Sequence, residues 1–309
     1  MKNNQLMIYG AYGYAGELMV REAVAQRLRP IIAGRDAEKL KPIATELSLE
    51  CRAFGVRNTG SNLQDISVLL NCAGPFSATA EPLARACLAQ QIHYLDITGE
   101  IDIFRKCHAL DEEARQQNVL ILPGAGTDIV PTDCLAAMLK EKLPVATRID
   151  LALSFGTNPS IGTVNTMIES FGKGGLIREG GMLKVVSNAF QMRKIPFQNK
   201  PQWAMTIPWG DVFTSGISTG VPDGAVYMAM PRMSIYMIRL TNPVKGILNT
   251  QFGQKITKRL AGWLMKKGPD AKALEAGRGQ FWGEAEAPDG EKLEMTMSTP
   301  NVYALTATV

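Results

Sequence analysis

Short apolar runs alternate with amphipathic stretches over roughly the first 140 residues of the chain. Leu6 to Tyr9, Pro30 to Ala33, Cys51 to Val56, Val68 to Cys72, Tyr94 to Ile97 and Val119 to Leu122 predict strands. Between them the pattern predicts helices running to Leu28, over Arg35 to Leu47, after Gly74-Pro75, near 103–117 and over 133–142. The helix after Pro75 carries Ala80, Leu83, Ala84, Cys87 and Leu88 on one stripe, the i, i+3, i+4, i+7, i+8 spacing of a buried face. The strands are mainly apolar runs instead of alternating, which predicts a parallel sheet covered on both sides.

The texture changes near Pro144. Residues 146–155, 182–190, 225–230, 280–286 and 292–298 predict strands, the last two joined by the turn Pro288-Asp289-Gly290-Glu291. Helices are predicted near 162–172 and 245–266, and Thr299-Pro300 has the form of a helix start. The expected architecture is α/β: a Rossmann-type parallel sheet over 1–143, then an inserted α+β domain over 144–299 with a largely antiparallel sheet. Residues 300–309 begin a helix returning to the first domain.

Composition narrows the classes. With 33 Lys and Arg against 29 Asp and Glu, the chain is only mildly basic. Its densest basic stretch, Lys255, Lys258, Arg259, Lys266 and Lys267, lacks interleaved aromatics and reads as a solvated helix face, so no nucleic acid is expected. Five cysteines without a CxxC pair and only two histidines, His93 and His108, point away from disulfides and metal centres. The start of the chain reads as a strand without a leader, and no apolar run reaches the length of a membrane span; a cytoplasmic location is expected.

The strongest local signal is the GxxGxxG turn, Gly10-Ala11-Tyr12-Gly13-Tyr14-Ala15-Gly16, between the first strand and helix. Gly10 permits the turn, Gly13 lets a pyrophosphate approach the helix N-terminus, and Gly16 lets the helix pack on the sheet. Tyr12, Tyr14 and Ala15 belong to the same phosphate cradle, with the two tyrosines packing over the nucleotide. The second strand ends Ala33-Gly34-Arg35-Asp36. A carboxylate at this point would bind the ribose hydroxyls of NAD, whereas an arginine can fork onto a 2′-phosphate. Gly34 leaves room and Arg35 supplies the fork, so NADP(H) is the expected cofactor. Asp36 is the competing feature, read as the cap of the next helix. Ala73, Gly74 and Pro75, ending the fourth strand, complete the cofactor set.

The other strand-end loops hold the candidate chemistry. Asp96, Glu100 and Asp128 are the acids placed to supply a proton, and bracing of the loops through backbone N–H groups is the other role open to Asp96 and Glu100. In the second domain, Trp203, Trp209 and Asp211 lie among uncharged residues, as a substrate-pocket wall or as core. Met228, Met230, Met233 and Met237 add adaptable apolar surface, while Arg178, Arg193 and Arg232 have no assigned place.

With these motifs, the chain resembles the saccharopine dehydrogenase-like family of NADP-binding reductases, and within it the trans-acting enoyl reductase branch. The glycine turn, Ala33 to Arg35, Asn71 to Phe76, Tyr94 to Glu100 and Gly126 to Asp133 carry the resemblance, as do Ile207 to Asp211 and Ser218 to Pro222. It implies a Rossmann domain, a second domain that closes over the cofactor and supplies the substrate pocket and a homodimer surface, and a chain that continues past the position of Val309. The implied activity is NADPH-dependent hydride transfer to an apolar, enoyl- or lipid-like small substrate. Two alternatives stay open: an NADP(H)-sensing protein without turnover, and an imine or amino-acid dehydrogenase.

Overall fold

The structure is a computed structural model that describes residues 5–155, 174–244, 246, 250, 253 and 277–308. The helices expected near 162–172 and 245–266, and the basic stretch from Lys255 to Lys267, lie outside the described residues. The described chain forms two units, Met1–Thr127 with Tyr303–Val309, and Asp128–Val302.

In the first unit the strands are β1 (Leu6–Tyr9), β2 (Ile31–Gly34), β3 (Cys51–Ala53), β4 (Val68–Asn71), β5 (His93–Asp96) and β6 (Ile121–Leu122). Their order is β3-β2-β1-β4-β5-β6 and every pairing is parallel. The order reverses between β1 and β4, which opens a crevice beyond the carboxyl ends of these strands. Helices α1 (Tyr14–Ala25), α2 (Ala37–Leu47), α3 (Phe76–Ala89), α4 (Ile101–His108) and α5 (Asp111–Gln116) fill the connections. The single helix expected near 103–117 is two, broken at Ala109-Leu110, where the buried Leu110 packs into the core. Both sheet faces are covered. Met7, Tyr9, Leu69 and Tyr94 join the α3 stripe on one side, and Ile8, Ile32, Met19 and Val20 meet on the other. That two-sided burial explains why these strands read as continuous apolar runs.

The second unit begins with α6 (Val130–Lys142), so this helix, expected in the first domain, packs with the second sheet. Gly283 faces Leu135 and Leu139 of α6, and an added Cβ there would lie 2.6 Å from Leu139 Cδ1. The strands are β7 (Arg148–Ser154), β8 (Gly175–Glu179), β9 (Met182–Val186), β10 (Met192–Pro196), β11 (Pro201–Ile207), β12 (Asp223–Ala229), β13 (Arg278–Glu286) and β14 (Lys292–Pro300). They form a sheet ordered β10-β11-β12-β7-β13-β14, with β8 and β9 attached through β12. The β7–β12 pair is parallel, so the sheet is mixed, while its other pairings are antiparallel. Two further helices, α7 (Asp211–Thr219) and α8 (Arg232–Leu240), follow β11 and β12.

The last helix, α9 (Val302–Thr308), returns to the first unit. Thr306 Oγ1 accepts from Thr127 N at 3.1 Å, Tyr303 meets the Tyr14 ring edge-on at 5.0 Å, and Ala307 packs against the apolar cluster of Ile8, Met19 and Ile32.

Candidate functional site

The glycine turn is shaped by close backbone packing. Gly10 has φ +86°, and a Cβ there would lie 2.7 Å from Ala73 N. A Cβ on Gly16 would overlap the Gly10 carbonyl oxygen, so α1 could not sit this close to β1 with any side chain at that position. Gly13 is the N-cap of α1 and no side chain caps the helix. Its leading N–H groups and partial positive charge are therefore not taken up by a capping residue, and the cradle fits a pyrophosphate.

At the end of β2, the space above Gly34 is filled by the Tyr12 ring; a Cβ on Gly34 would stand 2.6 Å from Tyr12 Cε1. Lys39 Nζ lies 5.7 Å from the centre of that ring. Asp36 acts as the cap of α2: its Oδ1 accepts from Glu38 N at 3.1 Å and Lys39 N at 3.3 Å, and Lys39 Nζ is 3.4 Å from Oδ2. These N–H groups hold its carboxyl below the ordinary carboxylate range. Arg35 is exposed and engages no carboxylate among the described residues, so its guanidinium remains available to an incoming anion.

The loops after β4, β5 and β6 are laced together by buried polar groups. Asn71 Nδ2 donates to Tyr94 Oη at 3.1 Å and to Thr79 Oγ1 at 3.2 Å, while its Oδ1 accepts from Ala73 N at 3.0 Å. Tyr94 Oη donates to Asp96 Oδ2 at 2.8 Å. Asp96 Oδ1 accepts from both Thr98 N and Gly124 N at 3.0 Å, joining the β5 and β6 loops. Glu100 Oε1 accepts from Phe76 N at 3.0 Å at the start of α3. Both acids thus accept backbone N–H groups of the strand-end loops. Asp96 is fully buried, and burial outweighs its three donors to push its carboxyl up to about 6. Ala73, Gly74 and Pro75 lie at the surface end of this lattice, Gly74 and Pro75 exposed. Asn71, Tyr94, Thr79 and Thr98 were not singled out by sequence reasoning; a polar residue closing an otherwise apolar strand was the available signal for Asn71 and Asp96.

Asp128 is partly exposed, and burial pushes its carboxyl up to about 7. Its carbonyl oxygen accepts from Trp209 Nε1 at 2.6 Å. Trp209 is thus core with a satisfied indole, and its ring is 6.1 Å from that of Phe155. Asp211 is fully buried, with no hydrogen bond of good geometry to either oxygen; Thr132 Oγ1 lies nearby but donates to Ile129 O. Burial, with Asp133 and Asp128 as like charges, holds Asp211 well above the carboxylate range. Trp203 does not join this group. It is paired with Lys194 on β10 and lies under the Arg232 guanidinium at 5.0 Å. The expected pocket wall of Trp203, Trp209 and Asp211 is therefore two separate packing arrangements, because Trp203 lies on β11 and the other two lie beyond its end.

The unplaced arginines also find partners. Arg193 makes a two-pronged contact with Glu284 at 3.1 Å and stacks on Trp282 at 4.7 Å. Arg178 is buried and donates to Val212 O, Ser215 Oγ and Val221 O, pinning α7 to the sheet. A cavity of about 430 Å³ lined by Gln5, Arg29, Ser48 and Asp65 lies at the amino ends of β1 to β4, opposite the glycine turn. It is not the nucleotide site. Among the described residues no cluster of His, Cys, Asp and Glu could hold a metal ion, and no helix is long and apolar enough to cross a membrane.

Comparison with known proteins agrees with this geometry. Residues 6–122 match the family described as Saccharopine dehydrogenase NADP binding domain. A rat saccharopine dehydrogenase-like oxidoreductase is 26% identical over 231 residues, covering 65% of this chain and 53% of that protein. A Mycobacterium tuberculosis protein provisionally named trans-acting enoyl reductase is 28% identical over 206 residues, covering 60% of this chain and 44% of that protein. The chain thus spans about half the length of the curated relatives it matches. Saccharopine dehydrogenase (L-Glu forming) from Saccharomyces cerevisiae shares the fold with a TM-score of 0.64 at 9% identity, over 99% of this chain and 89% of that one. Over residues 6–122 the chain is thus similar to saccharopine dehydrogenase NADP-binding domains.

Proposed function

We propose that this chain is an NADPH-dependent oxidoreductase that delivers a hydride to an apolar, enoyl- or lipid-like small molecule. The observation that carries the cofactor half is the end of β2, where Asp36 is spent on capping α2 and Arg35 stands uncommitted. The resemblance to an enoyl reductase in name supports the substrate half. The α1 N-terminus behind Gly10, Gly13 and Gly16 would hold the pyrophosphate, and Arg35 would bind the 2′-phosphate.

Bound NADPH supplies the hydride. Reduction of a carbon–carbon double bond adds that hydride to one carbon and a proton to the other. Asp128, which keeps its carboxyl proton up to about pH 7, is the acid assigned to protonation. Asp96 and Glu100 act as positioning residues by fixing the loops after β4, β5 and β6. Five free thiols fit a reducing compartment such as the cytoplasm.

Titration of NADPH and NADH into the protein and its Arg35→Ala variant tests the cofactor assignment. NADPH binding is expected to weaken by about 1.5–3 kcal/mol, with NADH scarcely affected. Equal losses for both would remove Arg35 from the 2′-phosphate. Oxidation of NADPH across enoyl-thioester, imine and ketone panels then tests the reaction. Stoichiometric binding without oxidation of any of them makes the chain a sensor instead.

A further inference from the structure

Gly34 ends β2, pairs with Ala53 of β3 and accepts from Phe54 N at 2.9 Å. Its φ lies outside the left-handed region, so the backbone itself admits any side chain there. What excludes one is the Tyr12 ring. A Cβ on Gly34 would stand 2.6 Å from Tyr12 Cε1, 3.2 Å from Cδ1 and 3.5 Å from Cζ, meeting a whole edge of the ring.

The ring is held in place from several sides. Gly10 N and Ala11 N donate to Ala33 O at 2.7 and 3.2 Å, which ties the glycine turn to the end of β2 and lays Tyr12 over Gly34. Tyr12 packs against the apolar cluster of Ala11, Ile32 and Leu40. Lys39 Nζ lies 5.7 Å from the ring centre, within reach of a cation–π contact, and 3.4 Å from Asp36 Oδ2. Nucleotide choice in this fold turns on whether a carboxylate at the end of β2 can reach the ribose hydroxyls. Two positions beside Arg35 could offer one. At 36 the carboxylate is taken by the N–H groups of Glu38 and Lys39 and by Lys39 Nζ. At 34 the ring stands where the side chain would begin. Specificity built in this way works by shutting out the competing arrangement as well as by attracting the favoured one.

We propose that Tyr12 is a specificity-determining residue of the nucleotide site: its ring, seated on Gly34, fixes that position as glycine and bars an NAD-type carboxylate from the end of β2. Gly34 thereby gains a second task, making room for the ring. The inference rests on the NADP(H) reading above and adds an exclusion to the attraction that Arg35 offers a 2′-phosphate.

The test places Gly34→Ala and Gly34→Asp in the full chain with Tyr12 intact, in Tyr12→Phe and in Tyr12→Ala. Thermal melts read folding, and titration calorimetry reads NADH and NADPH binding without turnover. With either ring at position 12, Gly34→Ala is expected to lower the melting temperature by about 3 °C or more, and in Tyr12→Ala by much less. Gly34→Asp is expected to leave NADH affinity unimproved while a ring is present. In Tyr12→Ala the same aspartate is expected to raise NADH affinity about tenfold or more over Tyr12→Ala alone, through charge-assisted hydrogen bonds to the ribose hydroxyls. Equal melting losses from Gly34→Ala in all three backgrounds overturn the proposal. So does an NADH gain from Gly34→Asp with Tyr12 in place, or no gain once the ring is gone. Failure of the NADP(H) reading shows separately, as equal losses of NADPH and NADH binding in Arg35→Ala, and the melting comparison does not depend on it.

Discussion

Two aspartates, one in each unit, have 0% exposure and opposite surroundings. Asp96 accepts three hydrogen bonds, from Tyr94, Thr98 and Gly124, and ties two strand-end loops together. Asp211 opens α7 with neither oxygen in a good hydrogen bond. Burial raises the proton affinity of both carboxyls; three well-formed donors offset it at Asp96, whereas at Asp211 Thr132 and a backbone N–H offset it without a hydrogen bond of good geometry. The difference teaches that burial of an acid does not define its role. Its donors do: Asp96 is an acceptor whose loss orphans its neighbours, whereas Asp211 is a buried acid whose charge lacks well-formed donors.

The harshest test of that contrast is Asp96→Ala. It would leave the Thr98 and Gly124 N–H groups and the Tyr94 hydroxyl without their acceptor in the interior. A loss of about 4 kcal/mol in unfolding free energy is expected in chemical denaturation. A loss below about 1 kcal/mol would mean that the loops do not depend on this carboxylate.

The next effect is a pH dependence. Asp128 has its folded pKa raised to about 7 from an ordinary 3.8. Folding then binds a proton that the unfolded chain releases, so the stability contribution is complete below about pH 4 and is lost as pH rises toward 7. Because the side chain keeps some exposure, a loss of about 2 kcal/mol across that window is expected, less than full burial would give. Asp96, raised to about 6, contributes with the same sign between about pH 4 and 6. Asp128→Asn should flatten the upper part of the stability-against-pH curve. An unchanged curve would show that Asp128 does not hold its proton.

Asp211→Asn sharpens the comparison from the other side. Its folded pKa is raised, so the wild-type chain loses stability as pH rises above the ordinary carboxylate range, and the amide does not. The variant is expected to match the wild type within about 1 kcal/mol in acid and to become the more stable of the two toward alkaline pH. Thermal melts at both ends of the range read this directly. A variant less stable at alkaline pH would mean that the charged carboxylate has a partner.

The parallel sheet was legible in sequence because its strands are covered on both faces and its helices carry a single stripe. The glycine turn and Arg35 were legible because backbone geometry and charge at fixed offsets leave a local mark. The second unit was less so. Strand β7 pairs with β12 and β13, far along the chain, and a half-buried strand such as β9, with Met182 and Val185 exposed, reads the same whichever neighbour it joins. For the same reason the parallel β7–β12 pair and the separation of Trp203 from Trp209 could not be read from spacing alone. Asp96 illustrates the limit within the first unit. Its place at a strand end was evident, but its donors come from two loops, and one of them, Gly124, lies 28 residues away.

Glu100 provides the finest probe of bracing. Its Oε1 accepts the backbone N–H of Phe76 at the start of α3. Glu100→Gln keeps an acceptor of the same reach and removes the charge. If the contact works mainly as geometry, the variant loses only the charge-assisted part and the attraction to the helix N-terminus, about 0.5 kcal/mol. NADPH affinity should then stay unchanged, because the loop keeps its place. Glu100→Ala removes the acceptor as well and is expected to cost about 1 kcal/mol. A glutamine variant as damaging as the alanine one would show that the brace depends on its charge, placing Glu100 close in kind to Asp96.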